Sequence, residues 1–303
     1  MNGAVASRPS TPPYTTGAVT STDGTTIGYR RIGSGPDVLL LPGGYLASQH
    51  YMQLAGALSD SFTVYVVDRR GRGLSGPPGD RYSMATECAD ADALVAQTGA
   101  RFVFGHSSAA LVALQAALTL PSIRKVAAYE PPLSSHGSIS TAWVPRFDRE
   151  VARGKTASAL VTFAKADNLV PAYLPRWLLV PLVTLYFRWE ERKVEPPDVS
   201  MRSLAPLQRF DGLLVEEMDS SLGSFAGVRG DVLLIGGQKS PAFLRGILDA
   251  LQETLPGARR VELRGVGHEA PIDRAAPERV AEELRAFFAD PDELSNDERE
   301  GYA

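Results

Sequence analysis

The chain has 303 residues, of which 44% are hydrophobic and 22% charged, and its formal net charge is −4. That length suits one large domain, or a domain with a subdomain, and the absence of a basic excess argues against a surface built for nucleic acid or an anionic membrane. The lone cysteine, Cys88, excludes an intrachain disulfide framework; His50, His106, His136 and His268 lack metal-ligand spacing, so no metal or cofactor is expected and a cytoplasmic protein is the default.

Residues 1–16 are rich in Ser, Thr, Pro and Gly, without the apolar core of a signal peptide, and read as a flexible lead. Segments 17–20 and 26–32 flank Asp23-Gly24 and predict an antiparallel hairpin at a sheet edge. Short apolar runs then follow at 38–41, 63–67, 101–104, 125–129, 232–235 and 260–263, each closed by turn residues or an acid. They are continuous rather than alternating, as in parallel strands covered on both faces. Helical patterns at 52–58, 85–97, 109–118, 241–255 and 277–289 lie between them, and this alternation predicts a doubly wound α/β sheet. Cys88 falls in one of these helices as a packing or surface residue.

The alternation stops between 133 and 225. Helical patterns at 146–153, 156–165, 174–192 and 201–210 predict an all-helical cap there, inserted between two stretches of core at 17–132 and 226–289. An insert at that point lies over the carboxyl ends of the strands, where ligands bind in open α/β sheets. The most apolar run, 177–187, contains Pro181 and falls short of the ~18 apolar residues of a membrane span. Residues 290–303 read as an acidic, solvated tail.

The chemistry starts at Gly105-His106-Ser107-Ser108-Ala109. A strand runs in and a helix runs out, the context of a nucleophile elbow, in which a sharp turn exposes the serine hydroxyl and the residues two before and two after must be small. Ser107 is therefore the candidate nucleophile, and the helix N-terminus behind it favours developing negative charge. A serine hydroxyl needs a base, and His268, in a Gly-rich loop after the last strand-like run, is the candidate. His106 should point away from the hydroxyl. His50 and His136 could line a pocket but read more simply as solvated or hydrogen-bonding residues.

Four motifs in order resemble the α/β-hydrolase superfamily over residues 17–289: LLLPGGY at 39–45 is similar to its oxyanion loop, DRRGRGLS at 68–75 to its D-x-R-G-x-G-x-S turn, GHSSA at 105–109 to its elbow, with Ala109 in place of a glycine, and GVGHE at 265–269 to its histidine loop. The resemblance implies a mostly parallel twisted sheet flanked by helices, and a Ser–acid–His triad. Members usually carry an aspartate after the seventh strand; here Ser240 or Lys239 stands there. Some members place the acid after the sixth strand, which makes Glu130 the candidate, with Asp211, Asp219 and Asp231 as alternatives. The resemblance also implies an oxyanion hole made by Ser108 N–H and Gly44 N–H, with Gly43 and Tyr45 as alternatives to Gly44. Asp68 and the arginines after it read as a structural turn.

The cap holds all three tryptophans. Most of its aromatics should pack the cap on the core; Trp143, Phe147, Tyr173 and Trp177, with Tyr45, are the candidates to face the substrate. These features point to a small-molecule hydrolase cleaving an ester or lactone of an apolar, bulky or cyclic compound through an acyl-enzyme. Carbon–carbon or thioester hydrolysis on the same triad is an alternative. So is a non-catalytic or lyase/cyclase-type protein of the same fold. Opening of halides or epoxides is disfavoured, because it needs a carboxylate where Ser107 stands. The oligomeric state is left open.

Overall fold

The structure, a computed structural model, describes residues 13–289. The acidic tail and residues 1–12 of the expected lead lie outside the described residues. Thr15 and Thr16, expected in the flexible lead, instead stand in a strand and pair with Arg31 and Arg30.

Eight strands form one sheet: β1 (Thr15–Thr20), β2 (Thr26–Ile32), β3 (Asp37–Leu41), β4 (Thr63–Val67), β5 (Phe102–His106), β6 (Lys125–Tyr129), β7 (Asp231–Gly237) and β8 (Arg259–Leu263). Their order is β1-β2-β4-β3-β5-β6-β7-β8, with β1–β2 and β2–β4 antiparallel and the remaining pairs parallel. The continuous apolar strands are explained by the two cores on either side. Leu39, Leu41, Val103 and Val126 face one cluster; Val38, Leu40, Phe104 and Ala127 face the other. Side chains alternate across a strand, so a strand buried on both faces must be apolar throughout.

The flanking helices are α1 (Met52–Leu58), α2 (Met84–Thr98), α3 (Ser108–Thr119), α9 (Ala242–Thr254) and α10 (Pro277–Phe288). On α2, the Ser83 side chain accepts from Thr86 N–H, and Gly99 closes the helix at φ 76°. Between β6 and β7 come α4 (Val144–Ala152), α5 (Thr156–Ala166), α6 (Arg176–Glu191), α7 (Met201–Leu204) and α8 (Gln208–Glu217). The single helix expected at 201–210 is two helices joined by a 3-10 turn at Ala205–Leu207. Pro206 in that turn has no N–H to donate, and the chain resumes as α8 beyond it.

The helical insert does not pack as a body apart. Trp143, Phe147, Ala159 and Phe163 form their own cluster, but Leu214, Val215 and Met218 of α8 belong to the main core. Charge fixes α8 as well. Asp211 is 2% exposed and pairs with Arg69 (2.9 Å) and Arg72 (2.9 Å) from the turn after β4. Arg69 also grips Glu87 of α2 (2.8 Å), while Arg70 pairs with Asp90 of α2 and Asp23 of the edge hairpin. Asp68 accepts from Ser48 N–H (2.7 Å) and Leu74 N–H (3.0 Å). The D-x-R-G-x-G-x-S segment is therefore a buried clamp on the hairpin, α2 and the insert.

Removing one partner of a buried ion pair leaves an uncompensated charge and costs about 3–5 kcal/mol. Asp211→Ala is expected to destabilise by that order in denaturant unfolding, whereas breaking the half-exposed Arg209–Asp148 pair on the insert surface with Arg209→Ala should cost about 0–1 kcal/mol.

Candidate active site

The loop after β3, the β5–α3 turn, the end of β6 and the loop after β8 meet at the carboxyl edge of the sheet. Ser107 sits between β5 and α3 at φ 54°, ψ −127°, a conformation that non-glycine residues adopt only under constraint. The constraint is visible on both sides. A Cβ on Gly105 would lie 2.3 Å from Ala109 O, so the elbow closes only with no side chain there. A Cβ on Gly43 would lie 2.5 Å from His106 O and 3.0 Å from Ser107 Cβ, so the β3 loop presses directly on the elbow. Ser108 is the first residue of α3, and the first N–H groups of a helix have no intrahelical acceptor.

Glu130 follows β6 at φ 48° and is fully buried. Its carboxylate reaches across the end of β7: Oε1 accepts from Gly237 N–H (2.6 Å), and Oε2 accepts from His268 Nδ1 (2.7 Å). The glycines at that strand end make the crossing possible, since a Cβ on Gly236 would stand 3.1 Å from Glu130 Oε1 and 2.7 Å from Leu248 Cδ1. Ser240, where the acid more often stands, is 4% exposed and its hydroxyl has no partner among the described residues. None of the alternative acids is hydrogen-bonded to His268 among the described residues, although Asp211 lines the same pocket. Asp211 is held by Arg69, Arg72 and the Ser108 hydroxyl (2.5 Å). Asp219 caps an exposed loop through Gly137 N–H, and Asp231 begins β7 at the opposite edge of the sheet.

Nδ1 of His268 must carry the proton it donates to Glu130, which leaves Nε2 as the basic nitrogen. The His268 side chain is 25% exposed. It lines, with Ser107, a cavity of about 210 Å³ whose lining also includes Gly43, Gly44, Tyr45 and Trp143. The structure thus brings Ser107, His268, Ser108, Gly44, Tyr45 and Trp143 to one pocket. It does not bring Phe147, Tyr173 or Trp177 there. Phe147 is wholly enclosed in the insert's own cluster, and Tyr173 and Trp177 are 83% and 77% exposed on the outside. Trp177 lies on the outer face of helix α6, whose inward face, Leu179 and Phe187, packs against the insert, and Tyr173 lies in the loop before that helix.

The two candidate oxyanion-loop donors differ. Gly43 N–H is committed to Tyr51 Oη (3.1 Å). Gly44 N–H meets Ser108 Oγ at 3.2 Å, the long end of the N–H···O range.

His106, Tyr51 and Asp167 were not singled out as site residues by the sequence. His106 is buried, and desolvation together with nearby His268 holds its imidazole well below the usual histidine range. Its Nε2 faces the His268 carbonyl (2.9 Å), which can only accept, so Nε2 carries the hydrogen and Nδ1 accepts from Tyr51 O–H (2.6 Å). A chain of hydrogen bonds therefore runs from Gly43 N–H through Tyr51 and His106 to the His268 loop. The GHS spelling of the elbow is its only trace in the sequence. Asp167 lines the pocket from the end of α5, and burial pushes its carboxyl up to about 6 against the opposing pull of His268. His50 and His136 do not line the pocket. Burial pushes the Cys88 thiol up to about 12, so it is no thiolate. Among the described residues, no three His, Cys, Asp or Glu side chains cluster as a metal would need.

Tyr51→Phe would leave the Gly43 N–H and the His106 Nδ1 buried without their partner. It is expected to cost about 1–3 kcal/mol per unpaired group in denaturant unfolding. The His106 ring resonances, followed by NMR, should shift with it.

The sequence profile of the alpha/beta hydrolase family matches residues 38–283. The chain is 28% identical over 270 residues to a 2-(acetamidomethylene)succinate hydrolase of Mesorhizobium japonicum, covering 87% of this chain and 91% of that protein. It is 28% identical over 265 residues to a pimeloyl-[acyl-carrier protein] methyl ester esterase of Stenotrophomonas maltophilia, covering 85% and 94%. Among solved structures, an alpha/beta hydrolase of Sphaerobacter thermophilus superposes with a TM-score of 0.74 at 30% identity, over 90% of this chain and all of that one. No helix among the described residues is long and apolar enough to cross a membrane. With its eight-stranded sheet and its motifs in register, the chain belongs to the α/β hydrolase family.

Proposed function

We propose that this protein is a serine hydrolase that cleaves an ester or lactone of an apolar, bulky or cyclic small molecule through an acyl-enzyme on Ser107. The observation that carries the reading is the Glu130–His268 hydrogen bond, which leaves Nε2 of His268 as a free base in the same pocket as the strained Ser107. Ser107 Oγ attacks the carbonyl carbon while His268 Nε2 takes the hydroxyl proton. The carbonyl π pair moves to oxygen, and Ser108 N–H and Gly44 N–H receive that charge; for Gly44 this replaces its long bond to Ser108 Oγ. Collapse breaks the bond to the alkoxy oxygen, which leaves with the proton from His268. Water then gives a proton to His268, attacks the acyl carbon and releases the acid, and the proton returns to Ser107 Oγ. Throughout, the Glu130 carboxylate holds the ring in one tautomer and offsets the imidazolium charge.

The helices between β6 and β7 act as the cap over this pocket. Its walls are apolar: Leu169, Val215, Leu244 and Ile272 line it with the aromatic rings. One relative is named for a succinate, yet neither Lys nor Arg is among this pocket's lining residues to receive a carboxylate. That balance favours a substrate without acid groups.

A fluorophosphonate probe followed by intact mass is expected to add once, on Ser107, and Ser107→Ala should abolish the adduct; a folded wild-type protein that takes no label would remove the acyl-enzyme reading. Against a panel of aryl and alicyclic esters and lactones, Glu130→Gln should lower kcat by about 10⁴, the scale of an acid-to-amide change at this position of a triad. Ser240→Ala should leave kcat within about twofold.

A further inference from the structure

The pocket has a polarity of its own. Asp167 and Glu269 line it, and neither Lys nor Arg does. Asp211, the third acid in the lining, is already neutralised by Arg69 and Arg72. Asp167 is not neutralised. Its carboxyl has neither an ion pair nor a side-chain hydrogen bond among the described residues; burial is the main influence on it, and His268 pulls the other way. Gln208, 7% exposed, brings a buried amide oxygen without a partner to the same pocket beside Gly44. A half-buried carboxylate without a cation is costly, and its cost is relieved by a ligand that supplies one.

The surroundings of Asp167 narrow the kind of cation. Asp167 closes α5 one turn after Phe163, its N–H donating to Phe163 O (3.0 Å). The Phe163 ring stands edge-on to Trp143 (centroids 5.1 Å, 61°) and to Tyr45 (6.3 Å, 85°), and all three rings line the pocket. Ring faces attract cations, most strongly weakly hydrated ones, and a substituted ammonium gains both from the rings and from the carboxylate. A strongly hydrated metal ion gains little from the rings, and a carboxylate gains from neither.

We propose that the corner formed by Asp167, Phe163, Trp143 and Tyr45 binds a substituted ammonium group carried by the ester substrate, with Glu269 adding negative charge at the exposed edge. This rests on the serine-hydrolase reading above for turnover, but not for binding. The corner sorts substrates by charge: amine-bearing apolar esters are taken, neutral isosteres are taken less well, and carboxylates are turned away.

The test uses a matched trio: 2-(trimethylammonio)ethyl butanoate, its neutral carbon isostere 3,3-dimethylbutyl butanoate, and the butanoate ester of 3-hydroxypropanoate. The wild-type chain is expected to favour the ammonium ester over the isostere by about tenfold in kcat/KM, carried by KM, with the carboxylate poorest. Asp167→Asn should reduce that ratio to about two or less, and Asp167→Glu should restore part of it. Equal or better use of the neutral ester, or a ratio that survives Asp167→Asn with the fold verified by circular dichroism, overturns the proposal. Binding of the same esters to Ser107→Ala, measured by calorimetry, separates the two readings. Tighter binding of the ammonium ester without wild-type turnover keeps the cation site and removes the hydrolase reading. Equal binding of ammonium and neutral esters removes the cation site whatever the turnover.

Discussion

The site depends on one buried carboxylate that spans two loops. Glu130 leaves β6 in a left-handed conformation and crosses the end of β7, where it is held at both oxygens, by Gly237 N–H and by His268 Nδ1. Burial makes this bridge specific, because a carboxylate with no access to water must find donors or stay protonated. Among the described residues, two N–H groups at 2.6 and 2.7 Å meet that need. The crossing requires empty space, and Gly236 provides it. An aspartate after β7 would not need this space; a glutamate after β6 does. The acid's position and the glycines of the neighbouring strand are thus one arrangement.

Two further networks hold the other parts of the site to this bridge. Gly43, Tyr51 and His106 carry a line of hydrogen bonds from the β3 loop to the His268 carbonyl. Arg69 and Arg72 fix Asp211, and Asp211 in turn accepts from the Ser108 hydroxyl. The second network makes the helical insert part of the site: α8 touches the residue that follows Ser107. The charges in it are paired, so they give geometry to the pocket but leave its electrostatic character to Asp167 and Glu269.

Sheet, helices and motif order were legible in the sequence because each is a local pattern. Apolar runs closed by glycine mark strands between helices, and the small residues around Ser107 mark a turn too tight for a Cβ. Glu130 was legible as a candidate because Ser240 and Lys239 left the commoner position without an acid. The insert was legible as helical, and was misjudged in its faces. Phe147, Tyr173 and Trp177 do not reach the pocket, since which stripe of a helix faces inward is set by what it packs against. The break at Pro206 and the shared packing of α8 were missed for a related reason: periodicity continues through both.

What the sequence by itself determined is the family, the succession of strands and helices along the chain and the residue types that can carry acyl-transfer chemistry, all properties of neighbours along the chain. The tertiary structure alone decided that Glu130 meets His268, that Tyr51 and His106 join two loops, and that Asp167 and three aromatic rings line one pocket. Those pairings link residues far apart in the chain, 138 positions for Glu130 and His268 and 162 for His106 and His268, and their strength comes from burial, which no local pattern records.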